Sequence, residues 1–205
     1  MAASGMADPS FEPAPSASGV VAPITYLLVD GENLDATLGV SVLGHRPSPE
    51  QRPRWERLLD FAERTWGQPV KGLFFINASS GSLPMSFVQA LQAIGFRPVP
   101  LSGPPGMKVV DVGIQRTLEA IRNRPGNVLL GSHDGDFIPQ VEALLTGDRK
   151  VGLVAFGEFV NLGFTALKVA GLEIFDLEYH VRAFNQELPR LRIVGIDEFD
   201  PELFL

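Results

Sequence analysis

A chain of 205 residues with 45% hydrophobic and 20% charged side chains has an ordinary globular composition, and it is long enough for one domain with a sizeable core. The absence of cysteine excludes disulfides, thiolate zinc sites and cysteine nucleophiles, and with three scattered histidines it leaves oxygen atoms as the metal ligands. The net charge of -7 argues against a broad nucleic-acid-binding surface, so any contact with nucleic acid must be local.

The chain starts with a segment, residues 1–23, that is dominated by Ala, Ser, Pro and Gly. These residues bury too little apolar surface to offset the entropy lost on ordering, so we expect a disordered leader. This segment also lacks the basic start and apolar stretch of a secretory signal, and no apolar run in the chain approaches the roughly 20 residues that span a bilayer. We therefore expect no membrane association and a cytoplasmic location.

From residue 24 to residue 187, short β-rich runs alternate with helix-like stretches. This alternation predicts an α/β domain of three layers, with a central, mainly parallel sheet covered by helices on both faces. The predicted strands are Thr25 to Asp30, Val70 to Asn77, Arg97 to Leu101, Asn127 to Gly131, Lys150 to Phe156 and Leu172 to Asp176. The predicted helices are Arg54 to Thr65, Pro84 to Ile94, Asp111 to Arg122, Asp136 to Leu145, Asn161 to Val169 and Glu178 to Gln186.

Two segments rich in Pro, Ser and Gly interrupt this alternation, Gly39 to Pro53 and Ser102 to Met107. Loops at the carboxyl ends of parallel strands form the crevice in which ligands bind, so we expect both segments to border a site. The tail, residues 188–205, leaves two interpretations open. It packs on the body of the domain, or it engages a protein partner, including a second copy of the chain.

Acidic residues recur where apolar, strand-like runs stop. Asp30 follows the first such run, Asp134 and Asp136 follow a later one, and Asp111 follows Val109 and Val110. The carboxyl ends of parallel strands meet at one edge of the sheet, so these carboxylates are expected to gather there. Such a cluster repels itself and usually exists to hold a divalent cation, which points to metal-dependent chemistry on phosphates.

Several other chemistries are disfavoured by missing motifs. No G-x-x-x-x-G-K-[ST] loop is present and no G-x-G-x-x-G follows a strand, which disfavours nucleotide-dependent oxidoreductases and P-loop enzymes. The G-x-S-x-G elbow is absent too. Ser132, His133 and Asp134 are consecutive, but adjacent side chains point in different directions, so a serine triad is not expected there.

Three motifs in order resemble the NYN domain family of PIN-like nucleases: Asp30-Gly31-Glu32-Asn33, Lys108-Val109-Val110-Asp111-Val112 and Ser132-His133-Asp134-Gly135-Asp136-Phe137. The resemblance covers roughly Thr25 to Leu177. It implies a PIN-like sheet of strand order 3-2-1-4-5 and cleavage of RNA that depends on Mg or Mn. The catalytic and metal-binding residues that it implies are Asp30, Asp111, Asp134 and Asp136.

Other side chains near these motifs are predicted to contact substrate. Asn33 accompanies the first aspartate, Lys108 is placed to contact a phosphate, and Ser132 opens the third motif. A structural or exposed role is favoured for His133, and a solvated or capping role for Glu32 and Asp35. The phenylalanines near the cleft, Phe137, Phe156 and Phe159, are predicted to be core residues, with base stacking as the alternative. A local phosphate-binding patch is one hypothesis for the arginines 46, 52, 54 and 57, and a solvated helix face is the other.

One departure from the family pattern keeps a second function open. Where many family members carry a further acidic residue, this chain offers Gln115, Arg116 and Thr117, and Thr117 is assigned to that position. The alternative to a ribonuclease is therefore a weak or inactive relative that binds RNA or protein as a regulator. A phosphatase of the haloacid dehalogenase type is disfavoured, because its chemistry requires a second Asp where this chain has Glu32.

Overall fold

The structure is a computed structural model, and it describes residues 23–189, 195–203 and 205. The strands are β1 (Thr25–Asp30), β2 (Val70–Asn77), β3 (Arg97–Leu101), β4 (Asn127–Gly131), β5 (Val151–Ala155) and β6 (Glu173–Asp176). The α-helices are α1 (Gly31–Thr37), α2 (Trp55–Trp66), α3 (Met85–Ala93), α4 (Val109–Arg122), α5 (Ile138–Leu144) and α6 (Leu162–Ala166). Leu38–Leu43 continues α1 as a π-helix, and Pro49–Gln51 forms a turn of 3-10 helix.

The strands form one sheet in the order β3-β2-β1-β4-β5-β6, and every neighbouring pair is parallel. This confirms the predicted fold class, and it extends the order 3-2-1-4-5 by a sixth strand. From β1, the strands β2 and β3 follow on one side and the strands β4, β5 and β6 on the other, so β1 lies between β2 and β4. In open α/β sheets the ligand crevice lies at this switch point, outside the carboxyl ends of the strands.

Alternating residues of the strands supply two separate cores. Leu27 and Val29 belong to the core that packs under α2 and α3, and Leu28 belongs to the core under α4 and α5. Most of the residues of β1, β4 and β5 are buried, as expected for central parallel strands covered on both faces. The molecule therefore has the predicted three layers, and its central strands are held rigidly by packing from both sides.

The first four strands begin and end at the predicted residues, while β5 and β6 are shorter than predicted. Helix α4 begins two residues before the predicted Asp111, so Asp111 lies in its first turn. The helix predicted from Asp136 is divided, with a 3-10 turn at Gly135–Phe137 followed by α5. The helix predicted from Asn161 is divided in the same way, into α6 and a 3-10 turn at Leu167–Ala170.

Helix α1 and the π-helix that follows it were not predicted from the sequence. The Asp30 carboxylate caps α1 by accepting a hydrogen bond from the backbone N–H of Asn33 at 3.1 Å. Leu34 and Leu38, four residues apart, are both buried, and this spacing was the signal that could have revealed the helix. The predicted loop from Gly39 to Pro53 is wrong for its first residues, whereas Ser102 to Met107 is a loop as predicted.

The helix predicted over Glu178 to Gln186 is wrong, because this segment forms turns and irregular structure. Asp176 accepts hydrogen bonds from the backbone N–H groups of Glu178 and Tyr179, and Arg182 has a φ of 57°, which a right-handed helix does not accommodate. The Arg57 guanidinium donates to the carbonyl oxygens of Arg182 and Phe184 at 2.8 Å. Of these contacts, the one to the Arg182 carbonyl uses a group that the predicted helix would pair with the N–H of Gln186.

The ends of the chain are described in part. Of the predicted leader, residues 1–22 lie outside the described residues, and so does the tail segment 190–194. At the start of the tail, Leu188 is buried in the core, and its N–H donates to Glu178 at 2.8 Å. The limits 24 and 187 of the domain remain a prediction. Among the described helices, none has the length and apolar character needed to cross a bilayer.

Replacing Gly126 by Ala is expected to destabilise the domain by roughly 1–3 kcal/mol. Gly126 has a φ of +124°, and an added Cβ would lie 2.5 Å from the carbonyl oxygen of Ile24, a backbone atom that cannot move cheaply. Gly147→Ala is the matched control, because nothing lies within 4 Å of its added Cβ. Urea denaturation of both variants checks this expectation, and equal stabilities would contradict it.

Candidate metal centre at the carboxyl edge of the sheet

The predicted acidic residues lie at the switch point of the sheet. Asp30 is the last residue of β1, and Ser132 follows β4 directly. The parallel register pairs Val29 with Gly131, so Asp30 and Ser132 are neighbours across the two strands. Asp134 lies in the loop after β4, and Asp111 reaches the same edge from the first turn of α4. Strand register and one helix start therefore bring the three sequence motifs together.

Three carboxylates converge closely enough to share one cation. One carboxylate oxygen from each of Asp111, Asp134 and Asp136 lies within 4.8 Å of the other two. Asp136 is exposed, and the other two are partly buried. Asp134 also accepts a hydrogen bond from the backbone N–H of Asp136 at 3.0 Å, which fixes the turn that holds both side chains. Carboxylate oxygens in such a group are the ligands that Mg²⁺ and Mn²⁺ prefer.

Asp30 lies behind this group, and its side chain is buried, with 2% of the residue exposed. The pKa of the Asp30 carboxyl is raised to about 6: burial is the largest cause, hydrogen bonds from Asn33 and Ser132 lower the pKa in part, and the charges of Asp111 and Asp134 add to the increase. An ionised Asp30 at neutral pH therefore costs the domain free energy. A cation bound nearby would offset that cost.

A small hydrogen-bond network orients Asp30. The Ser132 hydroxyl lies 3.2 Å from the Asp30 carboxylate and 3.1 Å from the Asn33 side-chain oxygen, and it accepts a bond from the N–H of Asp134. Asn33 also accepts a bond from the N–H of His133 at 3.2 Å. Since the hydroxyl has one proton, it can donate to one of the two oxygens at a time. Ser132 and Asn33 thus tie the ends of β1 and β4 together behind the acidic group.

The His133 side chain has a partner outside this network. Its Nε2 lies 2.7 Å from the Thr37 hydroxyl, and burial lowers the pKa of the imidazole. The side chains of Ser132 and His133 therefore bind different partners, in line with the prediction that adjacent side chains point in different directions.

Lys108 contacts the acidic group directly, a contact that the sequence did not reveal. Its ammonium lies 3.1 Å from the Asp136 carboxylate and 3.3 Å from the Asp111 carboxylate. Hydrogen bonds to Asp136 and then to Asp111 raise the pKa of Lys108, so the side chain is fully charged. The Lys108 ammonium thus places a positive charge of the protein itself beside the carboxylates that would bind a cation.

Of the uncharged side chains Gln115 and Thr117 on α4, it is Gln115 that contacts the acidic group. The Gln115 side-chain amide donates to the backbone carbonyl of Asp136 at 3.1 Å, as its place one turn after Asp111 allows. Thr117 lines a separate pocket with Val99 and Leu101, and its hydroxyl donates to the Gly113 carbonyl at 2.7 Å. Thr117 therefore lies outside the acidic group, and its assignment to the further acidic position of the family stays a prediction.

The arginine patch is not supported as a free phosphate-binding surface. Arg52 pairs with Asp35 through Nε at 3.1 Å and through a second nitrogen at 3.3 Å, and Arg57 is held by the carbonyls of the 182–184 segment. Of the three phenylalanines, Phe137 and Phe156 are fully buried and belong to the core, while Phe159 is partly buried beside His133, at 6.4 Å between ring centroids.

An open cavity of about 460 Å³ joins these features. Three of the aspartates line it: Asp30, Asp111 and Asp134. The lining also includes Asn33 of the first motif, Lys108 of the second motif and Gly106 of the loop before α4. Glu32 and Asn77 also line the cavity, and Glu32 accepts a hydrogen bond from the Asn77 N–H at 3.2 Å. Glu32 was predicted to be solvated or to cap, and the structure shows it exposed, lining the cavity and capping no helix end among the described residues.

Residues 24–170, most of the chain, match the family model of the NYN domain. The chain belongs to the NYN domain family. NYN domains are PIN-like nuclease domains, so the family assignment confirms the resemblance seen in the three motifs. No curated protein matches the sequence.

This NYN domain is similar to the crystal structure of a protein of unknown function from Vibrio parahaemolyticus. The two share 19% sequence identity with a TM-score of 0.59, over 78% of this chain and 95% of the other. At this identity the likeness supports the fold.

Proposed function

We propose that this NYN domain is a metal-dependent ribonuclease that hydrolyses phosphodiester bonds of RNA. The observation that carries the proposal is the group formed by Asp111, Asp134 and Asp136, whose oxygens lie within 4.8 Å of one another in front of the buried Asp30. The family supports a nuclease function of this kind. Magnesium or manganese is the proposed cofactor.

The residues present fit such a cation. The donor set consists of hard carboxylate oxygens, and the raised pKa of Asp30 reflects negative charge that is gathered at a buried position. Asp111, Asp134 and Asp136 would hold the ion, with Asp30 as the fourth carboxylate. When bound, a divalent ion activates water and stabilises the negative charge that develops on a phosphate under attack.

The side chains of the domain have distinct proposed tasks. The Lys108 ammonium is placed at the mouth of the cavity, where it can pair with a phosphate oxygen once it leaves Asp111 and Asp136. Ser132 and His133 occupy the Asn33 side-chain oxygen, so Asn33 would donate to substrate through its amide nitrogen. Ser132 holds Asp30 and Asn33 at their spacing.

The test is incubation of the protein with end-labelled single-stranded RNA in Mg²⁺ or Mn²⁺. The proposal predicts RNA fragments with the metal, no fragments in excess chelator, and recovery of cleavage when the metal is restored. Cleavage that persists in the chelator would contradict the metal dependence, and intact RNA under all conditions would contradict the enzymatic function.

The Lys108 contacts also favour the second candidate, an RNA-binding or protein-binding regulator without catalysis. A lysine that neutralises Asp111 and Asp136 stabilises the cluster in the absence of metal. If that were its whole role, the protein would bind RNA in the assay above without cleaving it, and Mn²⁺ would leave that binding unchanged.

Replacing Lys108 by Ala separates the two candidates. For the ribonuclease, we expect Mn²⁺ to bind several-fold more tightly, because a competing positive charge is removed, and RNA to bind more weakly. Lys71→Ala is the matched control, since Lys71 is exposed on β2 and is not among the residues that line the cavity. Calorimetric titration with Mn²⁺ checks the first effect, and unchanged Mn²⁺ affinity would contradict the proposed role of Lys108.

A further inference from the structure

A second pocket adjoins the acidic cavity through Glu32, which lines both. Gly31 connects the two along the chain, since it follows Asp30 directly and lines the second pocket. An added Cβ on Gly31 would lie 2.5 Å from the Phe74 ring, so glycine permits the close approach of this ring to the start of α1. A ligand in the acidic cavity can therefore extend one group into this pocket without leaving the surface.

The walls of this pocket are aromatic. The Trp55 ring meets Phe74 edge-on at 5.0 Å between centroids, and the Phe87 ring does so at 5.4 Å. All three residues line the pocket. Aromatic rings around a recess supply stacking and edge contacts for another planar ring.

The rim of the pocket carries polar groups. Glu32 and the Asp35–Arg52 ion pair lie among the lining residues, and Glu32 has one carboxylate oxygen bonded to the Asn77 N–H. A carboxylate at the rim accepts hydrogen bonds from the exocyclic amino group or ring N–H of a base. The volume, about 160 Å³, is below the ~300–1,000 Å³ of pockets for larger ligands, which suits one planar ring system.

The negative net charge of the chain bears on how the domain could gain affinity for RNA. With a net charge of -7, the domain has little long-range attraction for RNA, and Arg52 and Arg57 are engaged by other groups of the protein. Short-range contacts must then supply much of the affinity for single-stranded RNA, and stacking of a base on an aromatic ring contributes about 1–3 kcal/mol per base.

We propose that this pocket, bordered by Glu32, Trp55, Phe74 and Phe87, binds one unpaired nucleobase of the RNA whose backbone enters the acidic cavity. The proposal rests on the proposed ribonuclease function for the position of the backbone. It adds that substrate recognition depends on an unpaired base beside the cleavage site, so base-paired RNA is a poor substrate.

Tryptophan fluorescence tests the pocket without requiring catalysis. The chain has two tryptophans, and Trp66 points elsewhere, with its indole N–H donating to Glu173 at 3.1 Å. In the variant Trp66→Phe, Trp55 is therefore the reporter. Titration in chelator with adenosine, an uncharged nucleoside that carries an amino group, is expected to quench Trp55 saturably. Ribose, which has no base, is expected to leave the signal unchanged.

Two variants in the Trp66→Phe background locate the binding. Phe87→Leu retains a large apolar side chain but removes one of the aromatic rings that line the pocket, so we expect it to weaken adenosine binding roughly tenfold. Phe61→Leu is the matched control, because Phe61 contacts Phe175 rather than the pocket. No saturable quenching, equal quenching by ribose, or equal losses in both variants would overturn the proposal. Because no metal or cleavage is involved, these outcomes are independent of the ribonuclease test.

Discussion

Replacing Asp134 by Asn is expected to reduce metal-dependent RNA cleavage on the order of 10²–10³-fold, the scale for losing one preorganised charge-stabilising group. Asp134 supplies one of the three converging carboxylates, and its negative charge also borders Asp30. The amide retains the oxygen that accepts the N–H of Asp136, so the turn after β4 is preserved and the change removes charge rather than structure. Asp111→Asn is expected to act in the same direction.

The matched control for this prediction is Asp148→Asn, because Asp148 is an exposed aspartate in the turn before β5. Initial rates of cleavage of a labelled RNA at saturating Mn²⁺ provide the measurement, with thermal unfolding to establish that each variant is folded. If Asp134→Asn and Asp148→Asn retained equal activity, the acidic group would not be the site of the chemistry.

Replacing Asp30 by Asn is expected to stabilise the metal-free protein at about pH 7.5 by roughly 2–3 kcal/mol while it inactivates the enzyme. The folded protein holds the Asp30 proton more tightly than the unfolded chain does, since burial raises this pKa from 3.8 to about 6. The contribution of Asp30 to stability therefore falls as the pH rises from about 4 to about 6, and the loss is complete above that range.

The hydrogen bonds of the site accept this substitution. The amide oxygen would receive the Asn33 N–H, and the amide nitrogen would donate to the Ser132 hydroxyl, which then donates to the Asn33 side chain. Urea denaturation in chelator at about pH 4 and about pH 7.5 measures the effect. We expect nearly equal stabilities of variant and wild type at the lower pH and a more stable variant at the higher pH. A variant less stable than the wild type at both would contradict the raised pKa.

Much of this site was predictable from the sequence because the signal was periodic and local. Asp30 follows the apolar run Tyr26 to Val29, and Asp134 comes shortly after the apolar run Val128 to Leu130, so parallel strands with their ends in register were sufficient to place both at one edge. Asp111 was identified by its motif, although α4 begins two residues earlier than predicted. The family model then confirmed the fold and the kind of domain.

Other features depended on tertiary contacts that no local pattern reports. The turns at Glu178 to Gln186 replace a predicted helix because the Arg57 side chain, distant in sequence, binds carbonyls of that segment. Lys108 bridges two carboxylates from different motifs, and its partner Asp136 is 28 residues away. The contact of Gln115, rather than Thr117, with Asp136 depends on how α4 packs beside the turn after β4. Helix α1 was missed although its apolar spacing was visible.

Direct measurement of Mn²⁺ binding is the closest test of the proposal that the acidic group holds a divalent cation. Free Mn²⁺ can be followed by electron paramagnetic resonance while it is titrated into the wild type and into the double variant Asp111→Asn, Asp134→Asn. We expect the wild type to take up Mn²⁺ and the double variant, with two of the converging carboxylates neutralised, not to take it up. Equal uptake by the two folded proteins would contradict a cation site at the acidic group.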